Sequence, residues 1–336
     1  MLVKIINFRN PIIDNRYKLL KLEKKNPLSI TKNIVKYILF SKKNKKRSNA
    51  FEKFLLNNFN LTKKYSSDFE LISNPPKLDY YITGSDQVWN TQITRCVSDI
   101  YTLNFGPNNT KKISYAASFG KLDFTDKEIE KFKHNLSKLD SISVRESSAV
   151  KFLKEIINKE IYEALDPTLL FEANYWNQKI DTLSKEKEKY VLIYHLEKNI
   201  ELVKIANYIS KYYGYKIIHF EKNNKYYDSV LRSAYVDGPL EFVNLIKNAE
   251  FIVSNSFHGT VFSIIFHKDF FVVPHMNTGS RMIDFLKKLN LENRIVYKVD
   301  DLKIGQSIEK IDYDNVDKII EKQRTKSKLF LDSALK

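Results

Sequence analysis

The sequence predicts an α/β fold built as two Rossmann-like domains facing a cleft, and three observations predict it. Short apolar runs bounded by polar turns recur along the chain, and the stretches between them carry apolar residues at helical spacing. The alternation is interrupted near residues 172–188, where Lys185 to Lys189 form a charge run. The length of 336 residues is sufficient for two separate cores at about 100–200 residues per domain. The expected division is a first domain over residues 1–175 with a basic helical insertion at 31–65, a second over 188–310, and a C-terminal helix over 311–336.

In the first half, strands are expected at Val3 to Phe8, Tyr80 to Thr83, Lys112 to Ala116 and Ser141 to Val144. Thr31 to Phe59 reads as helical pieces interrupted by a basic loop, and 126–139 and 148–157 read as helices. Asp166-Pro167 then breaks the pattern. In the second half, Tyr190 to Leu196 is a strand, Glu201 to Tyr212 a helix stopped by Gly214, and Tyr215 to Phe220 the next strand, which together make one βαβ unit. Gly238-Pro239 opens a helix with Phe242, Leu245, Ile246 and Ala249 on one face. Strand Phe251 to Ser254, helix Thr260 to Phe266 and strand Phe270 to Val273 follow. No repeat of 20–50 residues is present.

Composition narrows the function classes. Apolar residues make up 43% and charged residues 29%, near the globular average, and no apolar stretch approaches the ~20 residues needed to span a bilayer. Met1 to Asn10 lacks the layout of a secretory signal, so a cytoplasmic location is expected. Cys96, the single cysteine, cannot form an intrachain disulfide or a thiolate metal site. A net charge of +16 favours phosphate-bearing partners in general, yet lysine is spread along the whole chain, which is how a solvated surface looks. No nucleic-acid partner is expected. The one dense cluster, Lys42-Lys43-Asn44-Lys45-Lys46-Arg47, follows the apolar run Ile34 to Phe40; it reads as a solvated loop after a core-facing helix, with peripheral contact at the inner membrane surface as the other reading.

The chemistry is expected at strand ends. Ligands of open parallel sheets bind beyond the carboxyl ends of the strands, where Ser256, Phe257 and His258 stand. Gly259 leaves room for an approaching ligand, and a helix starting near Thr260 offers N–H groups to a phosphate or carboxylate. His258 beside a bound anion suits general acid catalysis; equally, it suits a helix cap or an interior hydrogen bond. Gly84-Ser85-Asp86-Gln87-Val88-Trp89-Asn90 follows another strand: capping accounts for Ser85 and Asp86, while Gln87, Trp89 and Asn90 suit stacking and hydrogen bonding of a sugar. Ser114 to Gly120 is a run of mostly small residues suited to a close ligand or to tight packing. Arg145-Glu146 places a bidentate cation at a strand end, for an anion or for a salt bridge. Arg281, with His275, Asn277 and Ser280 beside it in a loop, is a second candidate anion clamp. His134, His195, His219 and His267 are taken as packing or surface residues. The chain has no Gly-x-Gly-x-x-Gly, Walker loop, Gly-x-Ser-x-Gly or His-Glu-x-x-His.

In order, Gly84 to Asn90, Ser114 to Gly120, Val144-Arg145-Glu146, Asp166-Pro167-Thr168 and Ser256 to Thr260 resemble the polysaccharide pyruvyl transferase family, and Arg281 and Leu289 to Arg294 extend the likeness over about residues 70–295. The resemblance implies a GT-B-like pair of domains, with the acceptor on the first and phosphoenolpyruvate on the second. It implies transfer of the pyruvyl group of phosphoenolpyruvate, as a ketal, to a sugar of a cell-surface polysaccharide such as a capsule or exopolysaccharide, or to its lipid-linked precursor. By the same likeness His258 is the proton donor, and Glu146 is a catalytic residue that orients a base, an acceptor hydroxyl or Arg145. Arg145, Ser256, Gly259, Thr260 and Arg281 bind phosphoenolpyruvate, and Ser85, Asp86, Gln87, Trp89 and Asn90 bind the acceptor. No metal and no cofactor beyond the co-substrate is implied. The beginning departs from the family, since Val3 to Phe8 resembles the second strand of its members. A first βα unit is therefore expected to be missing, through truncation or an alternative start, or with a compensating partner in its place. A nucleotide-sugar glycosyltransferase and a noncatalytic family member are the alternative readings.

Overall fold

A computed structural model describes residues 2–10, 13, 27–274, 279–302 and 308–336, with the backbone course alone for 27–39 and 280. In chain order the elements are β1 (Ile5–Phe8), α1 (Pro27–Asn58), β2 (Leu61–Tyr65), α2 (Asp68–Ser73), β3 (Tyr80–Gly84), α3 (Thr91–Thr94), β4 (Lys111–Ala117), α4 (Asp126–Leu136), β5 (Ser141–Val144), α5 (Ser147–Ile156) and β6 (Ile161–Glu163). They continue with α6 (Ala173–Ile180), β7 (Tyr190–Tyr194), α7 (Ile200–Tyr213), β8 (Lys216–His219), β9 (Val230–Ser233), α8 (Pro239–Asn248), β10 (Phe251–Ser254), α9 (Phe257–Ile265), β11 (Asp269–Val272), α10 (Ser280–Lys288) and α11 (Tyr313–Ala334). Every strand pairing among the described residues is parallel, so the predicted α/β class is what the chain adopts. Among the described residues, no helix is long and apolar enough to cross a membrane.

The chain divides into two compact units. The first comprises Met1–Lys18, Phe59–Leu170 and Lys318–Lys336. It holds a four-stranded sheet ordered β3-β4-β5-β6 and a separate pair, β1-β2. One core joins Phe119, Phe132, Leu136, Ile142 and Leu153, and Phe119 sits edge-on to Phe132 and Phe152. The opposite face of β4, at Ile113, Tyr115 and Ala116, is covered by Phe330 and Ala334 of α11. Helix α4 starts at a capping box in which Thr125 accepts from the Glu128 N–H and Glu128 accepts from the Thr125 N–H.

The second unit comprises Leu19–Asn58 and Phe171–Asp317. Its five-stranded sheet runs β11-β10-β7-β8-β9, so the first strand in sequence, β7, lies in the middle and the chain reverses direction between β7 and β10. Helix α7 ends at Gly214 in the left-handed region, φ 70°, and α8 carries Pro239 in its first turn, both as the sequence predicts.

Three expectations are corrected here. The basic run Lys42 to Arg47 is not a loop: α1 is one helix of 32 residues, because no Gly or Pro interrupts it after Pro27 and lysine and arginine are good helix formers. That helix belongs to the second unit and not the first. Arg47 donates to the Tyr235 carbonyl at 2.9 Å with its guanidinium over the Tyr235 ring, and buried Asn44 accepts from the Tyr235 hydroxyl at 2.8 Å. The last residues also differ in assignment, since Lys318–Lys336 clusters with the first unit through the packing of Phe330 described above.

Candidate active site

In the second unit, polar side chains gather where β10 ends. The Ser254 hydroxyl donates to the Tyr194 carbonyl at 2.6 Å and accepts from the Ser256 N–H at 3.0 Å, tying the end of β10 to the end of β7. Asn255 accepts from the Leu196 N–H and donates to the Glu197 carbonyl, which fixes the loop after β7. Ser256 is the N-cap of α9, accepting from the Gly259 N–H at 3.4 Å. His258 is therefore the second residue of a nine-residue helix, half-buried, beside Phe257 at 5.6 Å between rings. It stands at the carboxyl end of one of the two strands that flank the sheet's switch point, the place where open parallel sheets take ligands.

Helix α9 begins at Phe257, three residues earlier than the sequence suggests, and this changes two roles. Gly259 does not leave space for a ligand: a Cβ there would meet the Ser254 Oγ at 2.5 Å and Tyr194 at 3.3 Å, so the glycine lets the helix lie close on the strand ends. Thr260 is buried, with its hydroxyl donating to the Ser256 carbonyl at 3.1 Å and lying 3.1 Å from the Met282 Sδ. Gly259→Ala is expected to be net destabilising, since about 1–3 kcal/mol of overpacking outweighs about 1 kcal/mol of better helix propensity. Chemical denaturation checks this, and Ser254→Ala in the same chain should restore part of the loss.

Arg281 lies in the first turn of α10 and not in a loop. Met282 touches Thr260, and Phe285 lies 5.4 Å from Phe257 between ring centroids, so the start of α10 packs beside the start of α9. Arg281 and His258 thus share one end of the second unit. His275 and Asn277, expected beside Arg281, lie outside the described residues, and Ser280 is described by its backbone only.

Two other histidines border this end. His195 follows β7, with Nδ1 at 2.9 Å from the Glu197 carbonyl oxygen and Nε2 3.5 Å from a Glu221 carboxylate oxygen. His219 is fully buried and stacked on Tyr227. Its Nδ1 accepts from the Glu221 N–H and its Nε2 lies 2.9 Å from Asn224 Oδ1, an arrangement that holds the neutral Nε2–H tautomer. Burial lowers its pKa below the usual 6.5, with His195 and Lys43 adding to the effect and Asn224 and Glu221 opposing it. A histidine held neutral in the fold charges more readily when unfolded, so its contribution is full above about pH 6.5 and shrinks as pH falls from there towards the depressed folded value. The melting temperature should drop on acidification below about pH 6.5, with a shallower slope in His219→Gln.

In the first unit, a second cluster forms at the ends of β3, β4 and β5. Arg145 Nη1 lies 2.9 Å from Asp166 Oδ2, Nε 3.5 Å from Glu146 and Nη2 3.9 Å from Asp86. Asp166, 1% exposed, also accepts from the Ser85 hydroxyl at 2.8 Å and from the Thr168 N–H and hydroxyl. Glu146 accepts from the Ser118 hydroxyl at 2.5 Å. Arg145 was expected as an anion clamp; in the fold its guanidinium faces carboxylates, which oppose the approach of another anion.

The two motifs of this cluster explain each other's residues. Gly84 has φ 146°, and a Cβ there would stand 2.0 Å from the Tyr115 carbonyl oxygen. A Cβ at Gly120, φ 75°, would collide with Gln87 and Asn90. Trp89 is 2% exposed, donates to the Tyr101 carbonyl and packs on Phe119, and Asn90 caps α3 while donating to Gln87. Trp89 and Asn90 are therefore interior residues, corrected from sugar-stacking and sugar-bonding ones. Asp86 remains exposed, and Ser85 and Gln87 are half-buried. Ser85, Asp86 and Ala116 all take positive φ in this turn pair, 31°, 61° and 48°. Strained backbone of this kind concentrates at functional sites.

Parallel sheets with polar side chains gathered beyond their strand ends, one set in each unit, define a protein of the α/β class, with a switch point in the sheet of the second unit. Which member of that class follows from comparison with known families. The chain matches the polysaccharide pyruvyl transferase family over residues 3–277, well over half its length, and belongs to that family; it is a transferase by that membership. No protein of curated function matches it. Among solved structures it is similar to the UDP-N-acetylglucosamine 2-epimerase of Rickettsia bellii, at 13% identity and a TM-score of 0.41, with 98% of this chain and 96% of that chain covered.

Proposed function

We propose that the protein transfers the pyruvyl group of phosphoenolpyruvate to two hydroxyls of one sugar, in a cell-surface polysaccharide or its lipid-linked precursor, with His258 as the proton donor. The carrying observation is the position of His258, in the first turn of α9 at the carboxyl end of β10, where the helix dipole attracts an anion. The donor's methylene carbon takes the proton from His258 while one sugar hydroxyl adds to the neighbouring carbon and surrenders its proton. Inorganic phosphate then leaves, and the second hydroxyl closes the ketal, losing its own proton. Arg281, at the start of α10 beside α9, carries charge suited to the phosphate or carboxylate of the donor. On the acceptor side the reading favours Asp86 and Gln87, with Glu146 held in place by Arg145 and Ser118 as the group that receives a hydroxyl proton.

Purified protein supplied with phosphoenolpyruvate and a panel of sugar acceptors should release inorganic phosphate only when a competent acceptor is present. Titration calorimetry with phosphoenolpyruvate alone keeps the test decisive where the panel lacks the right sugar. Absence of both binding and release would sink the proposal. Thermal stabilisation by nucleoside diphosphates in place of phosphoenolpyruvate would move the reading to a nucleotide-sugar glycosyltransferase.

A further inference from the structure

Because Lys42 to Arg47 lie on a helix, α1 has two faces with different neighbours. The inner face carries Asn44, Arg47 and Phe51. Asn44 is buried and bonded to the Tyr235 hydroxyl, and the Arg47 guanidinium stands over the Phe51 and Tyr235 rings at 5.2 and 5.0 Å. Lys43 donates to the Lys222 carbonyl at 3.1 Å, and a Cβ at Gly238 would lie 3.5 Å from the Ala50 Cβ, so α8 starts against the same side. On the other face Lys42, Lys46, Asn49, Lys53 and Leu56 follow at steps of four, three, four and three residues, with Lys45 and Glu52 beside them, and every one is exposed. Four cations against one carboxylate make this stripe positive, and among the described residues none of the four has an acidic partner. From Lys42 to Lys53 it runs about 16 Å at ~1.5 Å per residue.

The inner contacts fix where the stripe stands. Lys222 follows the end of β8 and Tyr235 the end of β9, and both strands run parallel with β10 in one sheet. Residues 43–50 of α1 therefore lie at the carboxyl ends of the strands, the end of the second unit at which His258 stands. The make-up of the stripe points to its partner. Its cations are all lysines, while Arg47 is engaged with Tyr235 and Phe51 lies under the same guanidinium. The stripe thus offers neither the planar forks nor the free rings with which proteins hold nucleic acid. It offers a row of point charges with Leu56, 66% exposed, at its end, which suits a flat anionic surface with an apolar layer beneath.

We propose that the outward face of α1 docks the protein on a bilayer of anionic lipid, with the ammonium groups of Lys42, Lys45, Lys46 and Lys53 on headgroup phosphates and Leu56 at the edge of the acyl layer. The carboxyl ends of the second sheet then lie on the bilayer side of their unit, the side from which a sugar carried on a membrane lipid is presented. Docking stands on the helix alone and is independent of the pyruvyl-transfer reading. Vesicle binding is measured without phosphoenolpyruvate, so either can fail without the other.

The test is flotation of the full chain with vesicles of phosphatidylglycerol and phosphatidylcholine in equal parts, against vesicles of phosphatidylcholine alone. The protein should float with the anionic vesicles only, and binding should fall about tenfold or more as salt is raised to ~0.5 M. Each lysine at an anionic surface adds roughly a fivefold factor, so changing Lys42→Glu, Lys45→Glu, Lys46→Glu and Lys53→Glu together should weaken binding about 100-fold or more. Reversal of Lys127, Lys133, Lys151 and Lys154, exposed on α4 and α5, alters the net charge equally and should leave binding close to the parent's. Leu56→Trp, which keeps every charge and serves even where the quadruple variant folds poorly, should shift its emission to the blue when anionic vesicles are added. Absence of flotation, equal loss in the two quadruple variants, or an unshifted emission overturns the proposal. Displacement by inorganic phosphate at constant ionic strength also overturns it, in favour of a phosphate pocket. Binding of single-stranded DNA through these lysines with vesicles ignored does so in favour of nucleic acid.

Discussion

His258→Gln should lower kcat for phosphate release by about 10²–10⁴-fold while leaving the affinity for phosphoenolpyruvate within a few-fold of the parent. The substitution keeps a side chain able to hydrogen-bond at the second position of α9 but removes the titratable proton. The helix itself should survive it, because α9 is fixed by the Ser256 cap and by Gly259, Val261, Ser263 and Ile264, all buried. A kcat loss with unchanged KM would mark an interaction made in the transition state. Equal losses in affinity and rate would instead assign His258 to donor binding, and an unchanged kcat would remove it from the chemistry. Denaturation of the variant should match the parent, which separates a chemical role from a structural one.

Asp166→Ala should be the most damaging single change in the first unit, costing about 3–5 kcal/mol. Asp166 is 1% exposed and accepts from Arg145, Ser85 and Thr168, so its loss strips a buried guanidinium of its nearest counter-charge and leaves three donors to find other acceptors. Glu146 and Asp86 stay close to Arg145 and limit the damage, at 3.5 and 3.9 Å. Asp166→Asn retains an acceptor for Ser85 and Thr168 without the charge and should fall between parent and Ala in urea denaturation.

Much of the second unit was legible because its strands are uninterrupted apolar runs. Tyr190 to Tyr194 and Phe251 to Ser254 are buried on both faces, and helices with Gly or Pro at their ends punctuate them. The strands β2, β6 and β9 escaped notice for the opposite reason. Leu61–Tyr65 carries Lys63 and Lys64, Ile161–Glu163 spans three residues, and Val230–Ser233 is half-exposed throughout, so none shows an apolar run. The strand-end positions of His258, Ser85 and Arg145 were also readable, since they depend only on chain order. What those side chains touch was not readable. Trp89 looked like a sugar platform because nothing local shows that Phe119, some thirty residues on, packs against its ring. Arg145 looked like a free clamp because Asp166 reaches it from beyond β6.

Helix α11 has a consequence for how the chain is made. The ribosome delivers Ile113, Tyr115 and Ala116 long before Phe330 and Ala334, the side chains that cover them, and the backbone N–H of Leu165 waits equally long for the Ser327 hydroxyl. That face of β4 thus waits through the synthesis of the rest of the second unit for the helix that packs on it. A premature stop before Lys318 would deprive that face of Phe330 and Ala334 and hand quality-control proteases more exposed apolar surface.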